Sequence, residues 1–249
     1  MCIRDRDITN NFLVISLVIL VSISFGLAKT YKVGTSADFP PFEYVEDGEY
    51  VGFDMDLIRA IADEADIEIE IVDMSFDSLI AALMTGNLDI VIAGMTITEE
   101  REDAVDFTDP YWTADQSVVV KEGSEKNLTV LFGDNKIGAQ TGTTGDIWVE
   151  ENLVNTGILK GQFKRYETFV LAMTDLVNGN VDGVVLDAPV AERYAKIRPV
   201  KIVGIIKTYE EYGIAVREGN TELLEKLNVG LEKVRESGKM DELIGIYFE

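Results

Sequence analysis

The chain has no histidine, and its single cysteine is Cys2. Without histidine the commonest metal ligand and general base are missing, and one cysteine at the extreme N-terminus supports neither a disulfide nor a thiolate metal site. Zinc hydrolases and Ser-His or Cys-His catalysts are thereby all but dismissed, and no metal and no cofactor is expected. Basic residues are scarce too: 22 Lys and Arg stand against 45 Asp and Glu, a formal net charge of −23 over 249 residues. Such a surface repels nucleic acid and anionic membranes. A long charge-free apolar run occurs at Phe12 to Ala28, slightly short for a membrane span. It suits a secretory leader, and its end at Phe25-Gly26-Leu27-Ala28 predicts cleavage after Ala28, with an uncleaved anchor as the alternative. No cysteine follows the run, so a lipid-attachment site is excluded there. Asp5 and Asp7 cancel Arg4 and Arg6 where a leader carries positive charge, and Met1 to Arg6 reads like a translated sequencing adapter, which raises the suspicion that residues 1–6 are not native.

Beyond Ala28, short strands alternate with helices, the pattern of an α/β protein with parallel sheets. Strands are expected at Tyr31–Thr35, Ile67–Val72, Leu88–Ala93, Gln116–Lys121, Ile137–Ala139, Phe163–Tyr166, Val181–Leu186 and Gly213–Val216. Helices are expected at Asp54–Asp66, Phe76–Thr85, Thr98–Ala104, from Asp146, and at Phe169–Asn178, Val190–Lys196, Thr221–Ser237 and Asp241–Tyr247. A weak internal echo links Gly86-Asn87-Leu88-Asp89 to Gly179-Asn180-Val181-Asp182, each after a helix and before an apolar strand. Two lobes of similar βαβ logic would produce it.

The stretch from Val51 to Ala65, V-G-F-D-M-D-L-I-R-A-I-A-D-E-A, joins a strand end to a helix with no loop between them. Leu57, Ile58, Ile61, Ala62 and Ala65 give that helix one apolar face, and Asp54 and Asp56 fall in its first turn, where carboxylates satisfy free N–H groups and the helix dipole. The run closely resembles the signature of extracytoplasmic solute-binding proteins that deliver polar amino acids to ABC importers. Thr35 to Glu43 (T-S-A-D-F-P-P-F-E), Ala93 to Arg101 continuing to Tyr111, Gln140 to Gly145 (Q-T-G-T-T-G), Asp182 to Asp187 and the tail Leu231 to Phe248 carry the same resemblance in order.

The resemblance implies a two-lobe fold of the type II periplasmic-binding-protein kind, closing on its ligand. Lobe one would comprise residues 29–113 plus 213–249 and lobe two 117–208, with a hinge of two crossing strands near 114–116 and 209–213. Partners would be a free amino acid and the membrane subunits of an ABC permease, with the protein itself a monomer outside the cytoplasm. An α-amino acid presents a carboxylate, an ammonium and a side chain, each needing its own partner once water is excluded. Arg101 is expected to grip the carboxylate with its planar fork, helped by backbone N–H groups near Thr96 and Thr144. The competing role for Arg101 is a surface ion pair with Glu99 or Asp103. Asp187 is expected to hold the ammonium with the Gly94 carbonyl and the Thr96 hydroxyl, at a strand end where open α/β sheets place ligands. A helix N-cap is its other use. Thr143 and Thr144 can offer hydroxyls beside Gly142, and Phe39 and Phe76 match the rings that flank the ligand side chain in the family. Phe53 matches a core position.

Ser36 stands where binders of basic amino acids commonly carry a carboxylate. Together with Leu186 and Gln140 at two other specificity positions, it points to a neutral polar ligand; a basic one would need Asp38 or Asp115 as a substitute. Two further readings compete with the transport receptor: a dehydratase of prephenate-like acids on the same scaffold, and the sensor module of a larger receptor.

Overall fold

From Thr30 the chain runs twice through one strand–helix pattern. The computed structural model describes residues 29–249, so the expected leader, its cleavage point and the suspected non-native residues 1–6 lie outside the described residues. The first pass is β1 (Thr30–Thr35), an inserted hairpin of β2 (Asp38–Phe39), β3 (Glu43–Glu46) and β4 (Glu49–Val51), then α1 (Phe53–Ala65), β5 (Glu68–Asp73), α2 (Leu79–Met84) and β6 (Ile90–Val91). α3 (Glu99–Glu102), β7 (Val105–Phe107) and the long β8 (Trp112–Lys121) lead to the second pass. That pass is β9 (Ile137–Gln140), α4 (Thr144–Val149), β10 (Phe163–Tyr166), α5 (Phe169–Asn178), β11 (Gly183–Asp187) and α6 (Ala188–Ile197). β12 (Val200–Tyr212) returns to β13 (Ala215–Arg217), α7 (Thr221–Glu236) and α8 (Lys239–Phe248).

Each pass makes a five-stranded sheet, in the orders β5-β1-β6-β13-β7 and β10-β9-β11-β8-β12. The first three strands of each are parallel, as βαβ connections dictate. The last two run antiparallel to their neighbours, a detail that the expectation of parallel sheets did not include. The reason is connectivity. β13 reaches the first sheet only after the chain has built the second, and β8 enters the second sheet before its βαβ units begin, so neither is bound by a crossover helix.

Strand interiors read as unbroken apolar runs because both faces are covered. Ile90 and Ile92 pack on one side of the first sheet while Val91 and Ala93 pack on the other; Val184 and Leu186 oppose Val185 in the second. Each fully buried Val, Leu or Ile contributes about 1.5–3 kcal/mol, against at most about 1 kcal/mol for a surface ion pair. The core therefore dominates stability. Phe42, Phe53, Trp112 and Phe248 form an aromatic knot, with Trp112 and Phe248 stacked 4.2 Å apart, that pins the C-terminal helix to the start of β8.

Three local expectations change. The helix expected at Phe76–Thr85 opens as one 3-10 turn, Phe76–Ser78, before α2. The helix expected from Asp146 starts at Thr144, because Thr143 caps it by accepting the Asp146 N–H. The strand β12 was not anticipated; Gly204 interrupts its apolar run, and its pairing with β8 shifts register twice, between Ile202 and Gly204 and between Ile206 and Glu210.

Candidate ligand-binding site

The G-F-D-M-D motif works by reach rather than by capping. Gly52 has φ +125°, and a Cβ there would collide with the Phe42 carbonyl oxygen, so only glycine lets the hairpin run straight into α1. Asp54, expected to satisfy its own helix end, instead reaches a neighbouring loop. Its Oδ2 accepts the Gly94 N–H at 2.8 Å and the Tyr111 O–H at 2.7 Å. A buried carboxylate gains more from two donors that water cannot reach than from one exposed cap. The effect is to fix Gly94, at φ +51°, against the Phe39 ring, where a Cβ would come within 2.6 Å of Cε1.

The loop from Gly94 then delivers Thr96 and Arg101. Thr98 caps α3 by accepting the Arg101 N–H at 3.3 Å, which turns the Arg101 guanidinium back over the loop. There Nη1 donates to the Thr96 carbonyl at 2.7 Å and Nη2 to the Gly142 carbonyl, in the other lobe, at 3.0 Å. The Phe76 ring lies 5.4 Å from the guanidinium carbon. Arg101 is only 8% exposed and makes no ion pair within 4 Å among the described residues, so it is not the surface partner of Glu99 or Asp103. Burial lowers its pKa from the ordinary value, with Glu210 and Asp187 pulling the other way.

Lobe two presents Asp187 at the end of β11. It occupies the N-cap position of α6 but makes no side-chain cap bond; its Oδ2 accepts the Tyr212 O–H instead. Desolvation, followed by the charge of Glu210, pushes its pKa up to about 7, with the Tyr212 bond opposing. Thr143 is committed locally, donating to the Gln140 carbonyl at 2.8 Å while it caps α4. Thr144 turns its hydroxyl to Glu210 at 2.6 Å.

All ten expected positions, Ser36, Phe39, Phe76, Gly94, Thr96, Arg101, Gln140, Thr143, Thr144 and Asp187, line one interlobe cavity. Asp38, Glu43 and Ala93 complete its wall. Two residues weighed for ligand selectivity fall elsewhere. Leu186 is fully buried in the lobe-two core, and Asp115 sits by the surface, bound to Lys207 at 2.6 Å. Alternation along β11 explains the first, since neighbours on a strand face opposite sides.

Two acids join the site, Glu43, which was not foreseen, and Asp38, which was weighed only as a substitute carboxylate. Glu43 is fully buried with no N–H or hydroxyl donor on either oxygen, and its carboxyl faces that of Asp54, to which the protonated form donates. Burial, then the charge of Asp54, raises its pKa well above the ordinary value. Asp38 bridges the lobes: Oδ2 accepts the Phe169 N–H at 2.6 Å, and both oxygens lie 3.4 Å from Gln140 Nε2. Burial brings its pKa up to about 6, and does the same for Asp54. The acidic and aromatic residues around Pro40 and Pro41 were the available signal for Glu43. Its burial left no such signal, because α1, which packs on its strand, comes later in the chain.

A family model for bacterial extracellular solute-binding proteins, family 3, matches residues 31–249. A probable histidine-binding protein of Neisseria gonorrhoeae is 40% identical over 226 residues, covering 88% of this chain and 83% of the relative. A putative ABC transporter arginine-binding protein 2 of Escherichia coli strain K12 is 36% identical, covering 95% of this chain and 98% of the relative. Among solved structures, an ancestral arginine-binding protein bound to arginine superimposes with a TM-score of 0.82 at 45% identity, covering 88% of this chain and 98% of that one.

Proposed function

The chain belongs to the bacterial extracellular solute-binding proteins of family 3, and from that premise we propose that it captures a cationic L-amino acid between its lobes and presents the closed form to the membrane subunits of an ABC permease. The observation that carries the choice of ligand is the pair of acids Asp38 and Glu43 in the cavity wall, with the fully buried Glu43 carboxyl set against that of Asp54. Buried acids set against one another are costly to ionise, and a guanidinium, ammonium or imidazolium group on the ligand is the complementary occupant. Arg101 is the one basic side chain in that wall among the described residues. In this reading it grips the α-carboxylate with the N–H groups its two carbonyl bonds leave over. Asp187 takes the α-ammonium together with Thr96 and the Gly94 carbonyl, and the Phe39 and Phe76 rings flank the side chain.

The preference for a neutral ligand, drawn chiefly from Ser36, is revised here. The acids that would face a cationic side chain stand at positions 38 and 43, two and seven residues further along, on β2 and β3. The lobe limits, 29–113 plus 213–249 and 117–208, the hinge near 114–116 and 209–213, a monomeric state and export through the leader belong to the same proposal. Closure needs no chemistry, because a ligand that touches both lobes shifts an existing equilibrium by its differential affinity.

The test is a thermal-shift and calorimetric comparison of L-arginine, L-lysine, L-histidine, L-glutamine and L-glutamate. A specific ligand at a hundredfold excess over Kd adds about 2.7 kcal/mol of stability. Stabilisation by glutamine or glutamate but by none of the three cationic amino acids would overturn the choice. Asp187, with its pKa near 7, is also the group a dehydratase would use as general acid; turnover of prephenate or arogenate would favour that second reading.

A further inference from the structure

Glu210 sits on the return strand β12, and its position is set by an irregularity. Pairing with β8 breaks between Ile206 and Glu210, Tyr209 adopts φ +52°, and Asp115 Oδ1 holds the deviating backbone by accepting the Thr208 and Tyr209 N–H groups at 3.1 and 3.2 Å. This bulge turns the Glu210 side chain inward, where the residue is 7% exposed. Its Oε2 accepts the Thr96 hydroxyl, from lobe one, at 2.7 Å and the Thr144 hydroxyl, from lobe two, at 2.6 Å. Its Oε1 accepts Gln116 Nε2, on the other crossing strand, at 3.0 Å. One carboxylate oxygen thus joins two hydroxyls from opposite walls of the cavity.

We propose that Glu210 is a positioning residue that fastens Thr96 to Thr144 across the cleft, stabilising closure before ligand arrives and leaving the lone pairs of the Thr96 hydroxyl as the groups shown to the ligand, while the Thr144 hydroxyl also accepts Gln116 Nε2 at 3.3 Å. A hydroxyl has one proton to donate. With that proton committed to Glu210, Thr96 can only accept from the cavity side, which is what an α-ammonium requires. The inference deepens the proposed function, on which its second half rests; the fastening itself depends on no particular ligand.

The experiment is a pair of spin-label distance measurements on ligand-free protein. Labels are carried by Val45→Cys in lobe one and Leu171→Cys in lobe two, positions 52% and 51% exposed, in a Cys2→Ser background. Loss of the two hydroxyl hydrogen bonds across the cleft is expected to lower the closed-to-open ratio at least about tenfold in Glu210→Ala, with the same direction in Thr144→Val. The double variant should add nothing further. Glu210→Gln, which keeps the side-chain shape, should fall between wild type and Glu210→Ala, and it decides the question if circular dichroism shows the alanine variant unfolded. Distance distributions for Glu210→Ala or Thr144→Val that superimpose on wild type would overturn the fastening. A wild type that binds no amino acid in the calorimetric comparison would overturn the ligand reading while leaving these distances to stand or fall alone. In a calorimetric titration with L-arginine, an affinity for Glu210→Gln equal to wild type would overturn the orienting role of Glu210 on Thr96.

Discussion

The two lobes share a plan and differ in what they bring to it. In each sheet the third strand is preceded by the same device. Asp89 accepts the Lys32 N–H at 3.0 Å and the Lys29 ammonium at 2.7 Å; Asp182 accepts the Lys136 N–H at 2.8 Å and the Lys126 ammonium at 2.8 Å. Each aspartate also donates its own N–H back, Asp89 to the Lys32 carbonyl at 2.9 Å and Asp182 to the Lys136 carbonyl at 2.7 Å. The faint Gly-Asn-x-Asp echo in the sequence is therefore a repeated staple between the first and third strands. Past that staple the lobes diverge. Lobe one inserts a hairpin and ends its third strand in a loop with Gly94, Thr96 and Arg101, whereas lobe two ends its third strand directly in Asp187. Equivalent places in one topology thus present opposite charges to a shared space. That asymmetry suits a zwitterion, and the repeated scaffold behind it is indifferent to the ligand.

The comparison can be broken first at the poles. Arg101→Ala should weaken amino-acid binding by about 3–5 kcal/mol, since it strands a desolvated carboxylate; a calorimetric loss under fivefold would discredit the role of Arg101. Asp187→Asn removes the charge of the opposite pole while keeping a polar group, and should cost about 1.5–3 kcal/mol, the value of a hydrogen bond to an ionised partner. Glu43→Gln addresses the hairpin unique to lobe one: arginine affinity should drop by roughly tenfold or more while that for glutamine changes less, so an equal drop for both would remove Glu43 from the side-chain subsite.

Acidity sharpens the contrast further. Burial holds Asp187 near 7 and Asp38 and Asp54 near 6, above the ordinary aspartate value of 3.8. Between about pH 4 and 7 the folded state therefore binds more protons than the unfolded chain at these groups, and their contribution to stability is lost as pH rises through that window. Asp89 and Asp182 behave oppositely. Desolvation raises each of them, but the lysine and backbone bonds together outweigh it and the net shift is downward, so their contribution is lost as pH falls below the ordinary aspartate value. Ligand-free protein should melt higher at pH 5 than at pH 8, and Asp187→Asn should flatten that slope. A melting temperature that climbs steadily from pH 5 to 8 would contradict it. The smallest expected effect concerns the staples: Asp89→Asn and Asp182→Asn should each lose on the order of 1 kcal/mol of stability, equally, with ligand affinity unchanged by calorimetry.

The site was legible to the extent that it is built from loops whose residues lie next to one another in the chain. Arg101 and Thr96 come from one such loop, Gln140 to Thr144 from another, and Asp187 from a strand end. Glu210 and Glu43 were not legible as site members. Glu210 lies on a strand broken by Gly204 and reaches the cleft only through a bulge. Glu43 is enclosed by elements further along the chain, and nothing about a glutamate beside a loop says it will be covered.

By itself the amino-acid sequence determined the alternation of strands and helices and the repeat behind the two sheets, because these follow from periodicity and turn chemistry; the two proposed poles, Arg101 and Asp187, came from the resemblance carried by contiguous motifs. Only the tertiary structure decided the direction of the outer strands and the acidic character of the cavity. Both depend on which segments meet after the chain has crossed between lobes twice, and pairing and desolvation between distant segments leave no local imprint.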